Sequence, residues 1–82
     1  MTKNKKEIFK ILKVLSENEE GLTYKELLKE LGKEGMFIFV NNIEDLLETN
    51  IITGRIERHK DKYFATERGK QEADFMLKEE TV

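Results

Sequence analysis

The chain is predicted to be an α+β domain, mostly α, in which three helices precede a two-stranded β hairpin and a fourth helix follows it. Three observations carry this expectation. Up to Thr49 the apolar residues recur at helical spacing. From Ile51 onward two short apolar runs, Ile51 to Ile56 and Tyr63 to Thr66, flank a charged stretch from Glu57 to Lys62, the pattern of a hairpin with a solvated tip. Thr66 then offers a hydroxyl N-cap to a renewed helical segment. With 82 residues the chain has room for one hydrophobic core, so residues 1–82 are expected to form one domain.

The first helix is expected from about Lys3 to Asn18. Ile8, Ile11, Leu12 and Leu15 make its apolar stripe, and Lys6, Lys10 and Lys13 project from the other side. Glu17 to Glu20 and Gly21 end it. The second helix opens at Thr23, where Thr23 and Glu26 have the spacing of a capping box. Tyr24, Leu27, Leu28 and Leu31 form its buried stripe, and Gly32 is expected to stop it in the left-handed conformation.

The third helix is expected from about Gly35 to Thr49. Met36, Phe39, Val40, Ile43, Leu46 and Leu47 fall within one arc of roughly 120°, and Phe37, Ile38, Asn41, Asn42, Asp45 and Glu48 lie on the other side. The expected core therefore gathers Leu12, Leu27, Leu31, Ile43 and Leu46. The fourth helix runs from about Glu67 to Glu80. Gly69, Ala73, Met76 and Leu77 share one stripe, while Phe75 projects roughly opposite. Apolar groups on two sides of a short helix cannot all meet one small core, so Ala73, Phe75, Met76 and Leu77 are candidates for a contact between two copies of the chain.

Composition narrows the function classes. Hydrophobic residues make up 38% and charged residues 39% of the chain, and no apolar run approaches the roughly 20 residues that span a bilayer. The basic segment Met1 to Lys6 is not followed by an apolar stretch long enough for a signal peptide. A cytoplasmic protein with no membrane association is expected. The absence of cysteine excludes disulfides, thiolate metal sites and a thiol nucleophile. His59 is the only histidine and has no companion motif, so a nucleophile–base pair has little to stand on. Glu44, Asp45 and Glu48 follow helical spacing on an exposed face, and Gly32 and Gly35 do not make a phosphate loop. No enzyme, catalytic residue, metal or cofactor is expected.

The net charge is −2, but its distribution matters more. Residues 1–13 hold five lysines against one glutamate, and residues 51–70 hold six basic groups against three acidic ones. The segments 17–20, 21–50 and 71–82 are each acidic. Positive charge therefore gathers on the first helix and the hairpin. A blander reading exists for each group. A lysine row is commonly a solvated helix face, and alternating charges on a hairpin keep an edge strand soluble.

The segment Tyr63-Phe64-Ala65-Thr66-Glu67-Arg68-Gly69-Lys70 resembles the strand-to-helix junction Y-x-L-T-x-x-G-K/R that closes a wing, and Ile51-Ile52, after Leu46, resembles the "Leu-Ile" pair that leads into the wing. With the order helix, helix, helix, hairpin, helix, the chain resembles the winged helix-turn-helix transcriptional regulators of the MarR-like and PadR-like groups. Asn50 stands where those proteins often have Gly, and asparagine tolerates a left-handed conformation.

The resemblance implies a small DNA-binding regulator, expected to be a homodimer. The third helix enters the major groove of double-stranded DNA with Phe37, Ile38, Asn41 and Asn42, whose amides can pair with adenine. Tyr24 and Lys25 hold the second helix on phosphate, and Arg55, Arg58, His59, Lys60 and Lys62 of the wing lie beside the neighbouring backbone. The third helix itself exposes no Arg or Lys, and Glu44, Asp45 and Glu48 would repel phosphate. The alternative expectation is a winged-helix adaptor that docks a protein partner through this hydrophobic and acidic helix.

Overall fold

A computed structural model describes residues 3–33 and 40–80 of the chain, and side chains for residues 7–33 and 42–78. The described residues form four helices and a three-stranded antiparallel sheet, an α+β and mostly helical arrangement. Helix α1 spans Lys3–Glu17, strand β1 Leu22–Thr23, helix α2 Tyr24–Lys33 and helix α3 Val40–Ile52. The hairpin is made of β2, Ile56–His59, and β3, Lys62–Ala65, and helix α4 spans Glu67–Glu80.

Helix α1 packs against α2, α4 and β3. Its Ile11, Leu12 and Leu15 are buried with Leu27 and Leu31 of α2, Ile43 and Leu47 of α3, Ile56 of β2 and Ala73 of α4. Each such leucine or isoleucine side chain contributes on the order of 1.5–3 kcal/mol over its exposed state, and Ala73 less. Phe9 and Val14 of α1 are buried as well, beyond the four-residue stripe expected there, while Ile8 is half-buried against the core. On α3 the innermost leucine is Leu47, not Leu46, which is half-buried. Helix α3 turns its Ile43–Leu47–Asn50 line inward, and Leu46 falls to the side of that line.

The expected capping box forms. Thr23 N–H donates to Glu26 Oε1 at 2.9 Å, and Glu26 N–H donates to Thr23 Oγ1 at 3.2 Å. Hydrogen bonding to the carboxylate from the Thr23 backbone N–H first, and from the Thr23 side chain next, holds the Glu26 carboxyl below its ordinary pKa, with a smaller contribution from the charge of Lys62. Gly32 differs from expectation, because it lies within α2 rather than ending it.

The end of α3 also differs. The helix runs through Ile51 and Ile52, in place of the strand expected there. Gly54, with φ +81°, takes the left-handed position anticipated for Asn50. Gly54 N–H donates to Ile51 O at 3.1 Å, and Arg55 N–H donates to Asn50 O at 2.8 Å. This pair of bonds is the Schellman arrangement, which needs a residue without a Cβ clash just past the helix. Asn50 remains helical and buried, with its side-chain amide donating to Leu46 O at 2.7 Å.

The sheet has one strand more than the expected hairpin. Strand β1 pairs with β3, Leu22 opposite Tyr63 and Thr23 opposite Lys62, giving the order β1-β3-β2. This short strand ties the hairpin to the start of α2. Strands β2 and β3 pair from Ile56–Ala65 to His59–Lys62 and leave Lys60 and Asp61 as the turn. Lys60 adopts φ +59°, a left-handed conformation uncommon for a side-chain-bearing residue.

The junction into α4 is tightly bonded. Thr66 Oγ1 accepts from Gly69 N–H at 3.1 Å, the expected N-cap. The same hydroxyl donates to Gly54 O at 2.6 Å, and Thr66 N–H donates to Arg55 O at 3.0 Å. Gly69 faces the Arg55 carbonyl so closely that any Cβ there would collide with that oxygen. The Gly in the motif is thus required by close backbone approach.

Candidate functional site

Cross-strand partners in an antiparallel pair share one face, and this sorts the hairpin residues. Arg58 and Tyr63 are partners, and the Arg58 guanidinium lies over the Tyr63 ring, 5.7 Å from its centroid. Arg58 Nε also donates to Lys60 O at 3.3 Å, which braces the turn. On the other face His59 stands edge-on to Phe64, with centroids 5.6 Å apart and planes at 70°. His59 Nε2 lies 3.3 Å from Glu57 Oε2, both side chains being mostly in solvent. Arg58, His59, Lys60 and Lys62 are exposed.

Arg55 is set apart from that group. Its guanidinium donates from Nη1 to Thr53 Oγ1 at 2.8 Å and lies 3.8 Å from Glu72 Oε1 of α4. It ties the turn after α3 to α4 instead of extending along the hairpin tip. Lys25 is exposed in the first turn of α2, and Asn42 is exposed near the start of α3. Phe37 and Ile38, with Gly35, Met36 and Phe39 of the expected third helix, lie outside the described residues, as does the Asn41 side chain.

Tyr24 is half-buried at the head of α2, where α3 and the hairpin converge. Burial raises its pKa, and the nearby Glu44 carboxylate and then Tyr63 raise it further. Tyr24 thus lines an open groove with Tyr63, Glu44, Glu48, Arg58 and Ile52. Leu47 and Ile51 complete the apolar part of its wall. Ile52 is 80% exposed, the largest exposure among the described large hydrophobic residues. The groove is recognisable only with the fold in hand, because Glu44 and Glu48 are far in sequence from Tyr24 and Tyr63. The helical spacing of the two glutamates is the one signal the sequence offers.

Helix α4 differs from the expected two-sided arrangement. Ala73 and Met76 are buried in the chain's own core, but Leu77, expected on the same stripe, is 49% exposed. Phe75 is 60% exposed. At 100° per residue Phe75 and Leu77 point in nearly opposite directions, so they form two separate apolar spots. Leu77 lines a small cleft against Phe9, Lys13 and Ser16 of α1.

Among the described residues no three His, Cys, Asp or Glu side chains group as a metal site. No described helix is long and apolar enough to cross a membrane. The chain matches no protein-family model, and no curated protein or solved structure is significantly similar to it.

Proposed function

We propose that the chain is a winged-helix DNA-binding domain of the kind found in small transcriptional regulators, gripping duplex DNA mainly through its hairpin. The observation that carries this reading is the hairpin tip. Arg58, His59, Lys60 and Lys62 are exposed on a short two-stranded projection, and β1 holds that projection against the head of α2. Cations on a rigid hairpin suit phosphate contact, which supplies affinity without reading sequence. The exposed amide of Asn42 lies near the start of α3, where a base-reading group would belong. Glu44, Asp45 and Glu48 are exposed along the rest of that helix. They limit close approach of phosphate to its first turn, and this implies modest sequence specificity. The reading assigns no residue a catalytic role.

Pairing of two copies belongs to the same proposal. Ala73 and Met76 are taken up by the core, so a partner copy would meet Phe75 or Leu77. Symmetric pairing would set two α3 helices on half-sites about one DNA turn apart.

A duplex titration at several salt concentrations tests the reading. Lys60→Gln with Lys62→Gln should weaken binding to all duplexes by a similar factor and lower the salt slope by about 2, one for each lost phosphate contact. Asn42→Ala should weaken only the preferred sequence. Absence of measurable DNA binding by the parent chain at low salt would end this reading.

A further inference from the structure

The groove between α3 and the hairpin has a chemistry unsuited to phosphate. Its volume is about 710 Å³, large enough to take side chains from another molecule. Glu44 and Glu48 stand one helical turn apart on its α3 wall, so the two carboxylates repel each other along the helix. Neither forms an ion pair with any other described residue. Beside them Leu47, Ile51 and the exposed Ile52 make an apolar strip. Tyr24 stands at the head of α2 and Tyr63 on the hairpin, each with an aromatic face and a hydroxyl. Arg58 carries the groove's only described cation.

We infer that this groove docks a basic, leucine-bearing segment of a partner protein. Charge complementarity selects that occupant. A lysine or arginine placed between Glu44 and Glu48 relieves their mutual repulsion and gains two carboxylate partners at once. An aliphatic side chain one helical turn away covers Ile51 and Ile52, above the buried Leu47, which removes the exposed isoleucine from water. Arg58, stacked on Tyr63 across the groove, disfavours a second cation on that side and suits a backbone carbonyl of the segment. This inference does not rest on DNA binding, because the groove acids disfavour phosphate and Lys60 and Lys62 of the hairpin tip lie outside the groove lining, Arg58 being the one hairpin cation that both surfaces share.

Two fluorescent peptides of equal length and identical leucine spacing test it, one with lysines flanking the leucines and one with glutamates at the same places. The lysine peptide should bind and move the backbone amide signals of Glu44 to Ile52 and of Arg58 to Tyr63 in a nuclear magnetic resonance titration. Glu44→Gln with Glu48→Gln should weaken that binding about five-fold, the scale of two exposed ion pairs. Ile52→Ser should weaken it about ten-fold, as loss of an apolar anchor does. Failure of the lysine peptide to bind, equal binding of the two peptides, or movement of signals elsewhere would overturn the inference. Movement of the groove signals when the protein alone is concentrated would assign the groove to a second copy and overturn it as well. Hairpin signals from Arg58 to Tyr63 are expected to move with duplex DNA as well, so the α3 wall decides: movement of the Glu44 to Ile52 signals on adding duplex DNA without peptide would give the groove to nucleic acid, and the inference would fall. Thermal unfolding of each variant shows whether a lost affinity comes from lost fold.

Discussion

Two polar regions of this molecule differ in where their partners come from. Around the junction between the hairpin and α4, the groups answer one another. The Thr66 hydroxyl donates to Gly54 O and accepts from Gly69 N–H, and Thr66 N–H donates to Arg55 O. The Arg55 side chain reaches Thr53 and Glu72. Along the outer side of α3, Glu44, Asp45 and Glu48 are exposed and Ile52 stands mostly in water. The first region uses its polar atoms to join three elements of the fold. The second contributes little to the fold, so its chemistry is free to serve a molecule outside the chain. Satisfaction within the chain marks a structural role, and charge arranged without an internal partner marks a surface open to recognition.

Substitutions in the two regions should separate on that criterion. Gly69→Ala is expected to have the largest effect, a loss of about 1–3 kcal/mol measured by chemical denaturation, because its methyl group meets the Arg55 carbonyl and α4 must shift. An unchanged midpoint would show that α4 moves away at no cost and that the junction is loose. Thr66→Ala should lose about 1–2 kcal/mol with the N-cap and the bond to Gly54. Thr66→Ser should recover most of it, since the hydroxyl is what both bonds need.

On the α3 side, Glu44→Gln with Glu48→Gln should leave stability within about 0.5 kcal/mol of the parent. A loss as large as that of Thr66→Ala would mean that the glutamates belong to the fold and would erase the contrast between the regions. The same variant should lower the pKa of Tyr24, followed by ultraviolet absorbance at alkaline pH. It should stay above the ordinary tyrosine value because burial is the larger cause and Glu44 the next. A raised tyrosine pKa makes deprotonation harder in the folded state than in the unfolded chain. As pH rises through the ordinary tyrosine range toward the folded value, the unfolded chain gives up its proton first and the fold loses stability. Removing Glu44 narrows the gap between the two values and makes this alkaline loss smaller.

The contrast also explains which parts of the molecule are legible from sequence. The Thr23–Glu26 capping box and the Thr66 cap are readable because each rests on residues within three positions of one another. The bounds of α4 and the existence of the hairpin are readable for a similar reason, as spacing and a charged tip are local. The end of α3 is not, because Ile51 and Ile52 look equally apolar in a helix or a strand. Gly54, three residues after Ile51, holds the stop signal. Resemblance gives Asn50 a backbone role, whereas its place in the structure is a buried helical one.

By itself the sequence determined the number and order of the helices, the hairpin and the two caps, because hydrogen bonds to near neighbours and the period of apolar residues set them. Only the tertiary structure decided the rest. Two residues are too few to display a strand's alternation, so β1 is visible only through its pairing with β3. Gly69 acquires its meaning from the carbonyl of a residue fourteen positions earlier. Leu47 displaces Leu46 as the core residue once the rotation of α3 about its axis is set by Ile43 and Asn50. The groove exists because that rotation turns Glu44 and Glu48 toward Tyr24 and Tyr63, and packing between distant elements, not local preference, sets such a rotation.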